Sequence, residues 1–225
     1  PNPVAIGETA PQTALPAQVD IYDFDKTLVP FDSGSLFIGY CALHYPWVLV
    51  YLPVWFIACL LFALRVLSLQ KFKNLCFGFL PMVPVQRAAK GFWEKHLHQV
   101  YPWFTQKKRP AVIISASPDF LLEELQRRLG LPYLLCTRHN PKTGRILGQN
   151  CRGEEKVRRF RRAFPGVQVV DVYVLQFTGL AARAHGVDKA LGSRSHGTQV
   201  YVVARFDNLD GFFGSGKFDL GVIFL

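Results

Sequence analysis

An α/β fold built on a parallel sheet is the class this sequence predicts, and three observations predict it. Four strand-like runs, Val19–Phe24, Ala111–Ser115, Tyr133–Thr137 and Val167–Val174, alternate with helical stretches, the pattern of strand–helix–strand units. The run AVIIS has a β-branched apolar centre, Val112-Ile-Ile114, as a strand buried on both faces should. The first run ends on two carboxylates, Asp23 and Asp25, and open α/β sheets bind ligands beyond the carboxyl ends of their strands.

Taken in order, residues 1–18 carry Pro1, Pro3, Pro11 and Pro16 and are expected to be a disordered leader. They lack a charged start and an apolar core, so no signal peptide is read there. Residues 19–32 and 108–175 are expected to form the sheet core, with 33–107 inserted as an apolar helical cap. Within the insert, 35–69 and 87–106 read as helical. After AVIIS, Ser117 is the predicted N-cap and Pro118 the first residue of a helix that Gly130 closes. The cluster His139–Gly144 followed by Arg145–Gly148 predicts a hairpin, Glu154–Ala163 a basic helix, and Val167–Val174 the last strand of the core.

Composition narrows the function classes. Half of the 225 residues are hydrophobic and the formal net charge is +10, which favours phosphates or an anionic membrane surface as partners. Arg152, Lys156, Arg158, Arg159, Arg161 and Arg162 crowd one stretch. No zinc spacing or stacking motif accompanies them, so they are read mainly as a solvated helix face and nucleic acid is not the expected partner. The five cysteines are scattered, odd in number and without a C-x-x-C pair, as in a reduced, cytoplasmic protein. His96 and His98 are read as surface or cap residues rather than ligands.

Asp23, Asp25 and Thr27 alternate along IYDFDKTLVP. An extended chain would put all three on one face, where two like charges need a cation or a shared proton. Ser115 ends a second strand and Lys156 opens a helix, so carboxylates, a hydroxyl and an ammonium meet at one crevice. Such a set suits phosphoryl transfer. One carboxylate attacks phosphorus, the other handles the leaving-group proton, and the hydroxyl and ammonium hold phosphate oxygens. A divalent cation would offset the paired charges.

These residues resemble a known family. Asp23-Phe-Asp-Lys-Thr27 is similar to the first motif of the haloacid dehalogenase (HAD) superfamily, Ile113–Pro118 to its second, and Gly153-Glu-Glu-Lys156 to its third. The segment from Lys142 to Lys156 resembles phosphoserine-phosphatase-like members, the HAD-IB group. The resemblance implies a Rossmann-like parallel-sheet HAD core with an inserted helical cap, and a Mg²⁺-dependent phosphatase. It also implies roles: Asp23 as nucleophile, Asp25 as general acid then base, Ser115 and Lys156 on the phosphate, and Thr27 in support. Mg²⁺ would be held by Asp23 and by Asp25 through its backbone carbonyl. Asp32, just after the first motif, is left out of this set.

The fourth motif of that family, a further metal-binding Asp after the last core strand, is not matched. Asp171 falls inside the strand and the next acid is Asp188. Residues 176–225 are therefore read as an atypical tail. Codons shifted by one base from Gln176 can spell Ser-Leu-Arg-Asp-Leu-Pro-Leu, the end of such a motif, which makes a frame slip the explanation to test on the gene. The alternative is a catalytically impaired remnant that binds phosphate or a membrane.

Tyr45–Leu64 holds no charge over 20 residues, enough for about 30 Å of helix. Pro53 within it is expected to kink the helix. Asp23 precedes the run and Ser115 follows it, so one crossing would separate them across a membrane. The second apolar run, NLCFGFLPMVPV, is short for a return span. A helical hairpin at the membrane surface is expected instead, with a greasy soluble cap as the rival. The insert resembles that of membrane-associated lipid phosphatases such as phosphatidylglycerophosphatase C. The substrate is accordingly left between a phosphorylated small molecule and a lipid head group, at the inner face of the membrane.

Overall fold

A computed structural model describes residues 15–107, 109–175 and 201–204. The sheet has five strands: β1 (Gln18–Tyr22), β2 (Ala111–Pro118), β3 (Tyr133–Thr137), β4 (Gln168–Leu175) and β5 (Tyr201–Ala204), in the order β3-β2-β1-β4-β5. The first four run parallel, as the strand–helix alternation predicts, and β5 is antiparallel on β4. The tail expected to lack pattern thus supplies an edge strand, while its other residues, and the expected leader up to residue 14, lie outside the described residues. The leader's last expected residue, Gln18, already belongs to β1.

Side-chain alternation splits the core in two. Tyr22 and Ile113 point to the side where Phe37, Phe92, Trp93 and Phe120 pack. Ile21, Val112 and Ile114 point to the other, against Phe160 of α6 (Glu154–Ala163) and Phe164, which caps it. Between β2 and β3 runs α5 (Asp119–Leu129), closed by left-handed Gly130. It starts later than predicted. β2 continues to Pro118, which takes the N-cap position, so Ser117 lies in the strand and its hydroxyl is available elsewhere.

The insert is a helical cap of α1 (Ser33–His44), α2 (Leu52–Ala63), α3 (Leu69–Cys76) and α4 (Val85–His96), joined by 3₁₀ turns. The long helix expected over 35–69 breaks at Tyr45, where Pro46 begins a 3₁₀ segment to Tyr51, and again after Leu64. Pro53 does not kink α2: it sits in the first helical turn, where its missing N–H has no partner to lose. The helix expected over 87–106 stops at His96 and continues as short 3₁₀ turns. His96 is packed rather than purely superficial, its ring against Phe31 and Phe92. The second apolar run is core: Cys76, Phe77, Phe79 and Leu80 are buried. The expected hairpin forms, with His139 bridged to Ile146. It grips the cap through α3, where Gln70 donates to Gly148 O (3.0 Å) and Asn74 Oδ1 accepts from Ile146 N (2.8 Å).

Candidate active site

The carboxyl edge of the sheet carries the predicted residues. β1 ends at Tyr22, so Asp23 and Asp25 lie just beyond the strand rather than within it. Asp23 is tied to the sheet by its N–H, which donates to Tyr173 O at the end of β4 (2.9 Å). The extended-chain expectation of two crowded carboxylates is corrected here. The chain turns after Phe24, whose carbonyl accepts from Thr27 N and Leu28 N, and each carboxylate finds its own partners.

Asp23 Oδ1 accepts from Lys156 Nζ and from Phe24 N, at 2.9 and 2.8 Å. Lys156 is buried in the first turn of α6, so it is not one more charge of the basic face. Arg158 and Arg159 fill that role and pair with Glu155. Ser115 is buried on β2 and its Oγ accepts from Ser117 N (3.0 Å). No acceptor for its own proton is found among the described residues, so that proton can meet an oxyanion. β2 runs on to Pro118, so Ser115 lies within the strand and not at its end as expected; register still sets it beside the carboxyl end of β1, since Ile113 pairs with Tyr22. Thr27 is buried in the turn.

Asp25 Oδ1 accepts from Ser33 N (2.9 Å) and Oδ2 from the Ser117 hydroxyl, which in turn accepts from Ser33 Oγ (3.0 Å). Burial, reinforced by the charge of Asp32, pushes the Asp25 carboxyl up to about 7, against the pull of these donors. A carboxyl poised near neutrality can give and take a proton. Asp32 caps α1 by accepting from Ser35 N (2.8 Å) and belongs to the site after all. With Asp25, Ser117 and Lys73 it lines a slot of about 40 Å³ between core and cap, walled further by Ile38, Leu69, Phe72 and Phe77. Lys73, from α3, donates to Ala116 O (2.9 Å) and Asn150 Oδ1 (3.3 Å). Burial pulls its ammonium pKa down while the charges of Asp25 and Asp32 raise it.

Ser33, Asp32, Lys73 and Ser117 are the residues sequence reasoning missed. For Asp32 and Ser117 a signal existed, their position beside the motifs. For Lys73, one of several basic residues in the cap, none did. A larger cavity, about 350 Å³, lies beyond β3 between α5 and α6. It includes neither Asp23 nor Asp25, and two of its arginines share the single charge of Glu155; the smaller slot is lined by Asp25, while Asp23, Ser115 and Lys156 stand outside its lining.

A hard cation has a place to start. Asp23 Oδ1 takes both protein hydrogen bonds and leaves Oδ2 open, and an oxygen donor suits Mg²⁺, which keeps several of its own waters. Among the described residues no cluster of three or more His, Cys, Asp or Glu side chains could hold a metal. Asp171 is turned away, sharing Arg109 with buried Asp20, as its position inside the strand predicts.

Comparison with known proteins fits this geometry. Residues 21–188 match the haloacid dehalogenase-like hydrolase family, and the chain belongs to it. The match ends on Asp188 and so extends past the motifs into the tail. Over 80 residues the chain is 39% identical to Protein CicA of Caulobacter vibrioides, covering 33% of this chain and 36% of that protein. It therefore spans about a third of the length of the curated relatives it matches. A Bordetella pertussis Tohama I protein of unknown function shares the fold, with a TM-score of 0.57 and 17% identity over 69% of this chain and 79% of that one. A phosphoserine phosphohydrolase-like protein from Francisella tularensis subsp. tularensis SCHU S4 superposes with a TM-score of 0.44 and 16% identity, over 68% of this chain and 76% of that one.

Proposed function

We propose that this protein is a Mg²⁺-dependent phosphatase that hydrolyses a phosphate monoester through an aspartyl-phosphate. The observation that carries the reading is the Lys156–Asp23 contact at 2.9 Å, which sets a phosphate-binding cation directly on the nucleophile. The Asp23 carboxylate attacks phosphorus and the ester P–O bond breaks. Asp25, as the acid, gives its proton to the departing alkoxide. Asp25, now a carboxylate, takes a proton from water as that water attacks the aspartyl-phosphate, releasing phosphate and restoring Asp23. Lys156 and Ser115 hold the phosphate oxygens throughout. Mg²⁺, held by Asp23 and the Asp25 carbonyl, would supply charge neutralisation to the phosphate.

The substrate is a phosphorylated small molecule or a lipid head group. The apolar walls of the slot, Ile38, Leu69, Phe72 and Phe77, suit an apolar leaving group. An anionic membrane surface is the proposed partner, and the cytoplasmic side of the membrane the proposed location. The test is hydrolysis of an aryl phosphate with and without Mg²⁺ by the wild type and Asp23→Asn. Metal-dependent turnover lost in the variant supports the reading. No turnover in either supports the impaired remnant, and the gene's shifted frame after Gln176 is then read for an Asp codon.

A further inference from the structure

We infer that the segment Pro46–Ala63 is an in-plane lipid-docking ridge, by which the cap rests on an anionic bilayer. This deepens the membrane-partner reading proposed above by naming the surface that makes the contact.

The segment is the one described helical stretch long and apolar enough to cross a membrane, yet only 11% of it is buried. A greasy helix of a soluble cap would hide its side chains in the core. Here α2 turns Ala58, Trp55 and Phe62 towards the cap and leaves other large residues outside: Leu52, Phe56, Leu60 and Leu64 follow one another at helical spacing along one exposed row, with Phe56 72% exposed. Leu49, Val50 and Ile57 flank the row and Trp47 begins it. A contiguous apolar patch of this kind marks a contact surface.

Three features select lipid as the occupant. First, the row offers almost nothing to hydrogen-bond. Protein interfaces carry about one hydrogen bond per 100–200 Å², whereas this row consists of Leu, Phe, Ile and Val. The indole N–H groups of Trp47 and Trp55 are satisfied inside the cap, by Met82 O (2.9 Å) and Cys76 O (3.0 Å), so these rings carry no unmet donor towards hydrocarbon. Second, charge is complementary. From Ser33 to Trp93 the chain contains no Asp or Glu, while Arg65, Lys71, Arg87 and Lys90 are all exposed. A cap so weighted to positive charge, with Glu94 its one acid between Ser33 and Lys107, suits anionic head groups. Third, the segment lies along the bilayer, not across it. Both of its halves are held against the cap, by buried Val48 and Ala58 and by the indole hydrogen bonds of Trp47 and Trp55. Its neighbours α1 and α3 are anchored in the cap by Phe37, Cys41, Phe72 and Cys76.

The test uses the full chain and sedimentation with two kinds of vesicle, phosphatidylcholine alone and phosphatidylcholine with one third phosphatidylglycerol. Phe56→Glu, Leu60→Glu and their combination change exposed positions, and Leu147→Glu, an exposed apolar residue on the hairpin, is the control. Wild type and control are expected to pellet with the anionic vesicles and less so as salt rises. Each ridge variant is expected to bind about tenfold more weakly or worse, given the apolar transfer lost per side chain, with unchanged circular dichroism. Wild type that stays in the supernatant, or ridge variants that pellet as well as wild type, would overturn the inference. So would a wild-type dimer, without lipid, that the ridge variants dissociate, since a second copy would then be the occupant. Binding is read without catalysis, so a failure of the phosphatase reading leaves this result standing, and ridge variants should hydrolyse aryl phosphate at the wild-type rate.

Discussion

Lowering the pH should destabilise this fold through His139. Its ring is enclosed between Phe77 and Phe120, with centroids at 5.1 and 5.9 Å. Nδ1 lies 3.3 Å from Thr137 O, which fixes the proton there, and Nε2 is buried without a partner. Protonating Nε2 would leave an unmet donor and a charge among aromatic rings. Burial accordingly lowers the His139 pKa to about 4, from about 6.5 in the unfolded chain. Near pH 7 both states are neutral and the shift contributes nothing. As pH falls below 6.5 the unfolded state binds a proton that the folded state refuses, so stability is lost progressively down to pH 4. Through the linkage relation the loss is about 2 kcal/mol at pH 5, and about 3.4 kcal/mol well below pH 4. Other groups titrate in this window, so the informative quantity is the difference between wild type and His139→Gln. Urea denaturation of both proteins at pH 7 and pH 5 measures it. Wild type should lose about 2 kcal/mol more than the variant over that interval. Curves that move in parallel would refute the assignment of a neutral, enclosed ring.

Three further outcomes are expected. Lys156→Met removes the cation from Asp23 and should lower kcat/KM for an aryl phosphate by about 100-fold or more; a change of only a few-fold would remove Lys156 from the site. In Gly144→Ala, at φ +71°, the new Cβ would meet Phe77 O at 1.9 Å. Strain and clash together should cost more than about 2 kcal/mol and loosen the hairpin from the cap, visible as faster amide exchange at Ile146. Trp93→Ala empties a fully buried site and removes the hydrogen bond to Leu121 O (2.8 Å). Urea unfolding should show a loss of about 3–5 kcal/mol, and a loss under about 1 kcal/mol would mean that the cavity collapses.

The sheet was readable because its strands are long, β-branched and separated by helices with clear ends. Asp23, Asp25 and Lys156 were readable because each sits just past a strand or in the first turn of a helix, positions local in sequence, and Ser115 because the apolar run before it marks β2. What was not readable depends on distant contacts. Ser117 looked like a helix cap until β2 ran on to Pro118 and the hydroxyl met Asp25, 92 residues away. Lys73 enters the site only because the hairpin holds α3 against the core. The breaks in the cap helices were misjudged for a related reason. In α2 almost every residue is apolar, so no periodicity exists to say which face turns inward or where a turn begins. The strand β5 lies in a stretch whose composition gives no alternation over more than a few residues.

The position of β1 at the centre of the sheet has a consequence for the order of assembly. Its two neighbours arrive late: Ala111 pairs with Asp20 only after the whole cap has been synthesised, and Gln168 pairs with Gln18 later still. Loop closure over such separations is slow compared with local helix formation. A nascent chain therefore carries an unpaired β1 and an exposed apolar ridge at the same time until β2 is made. Chains halted before Gln168 are expected to keep one edge of β1 open and to aggregate, whereas early contact of the ridge with a bilayer would shelter one of the two sticky surfaces until β4 closes over the other.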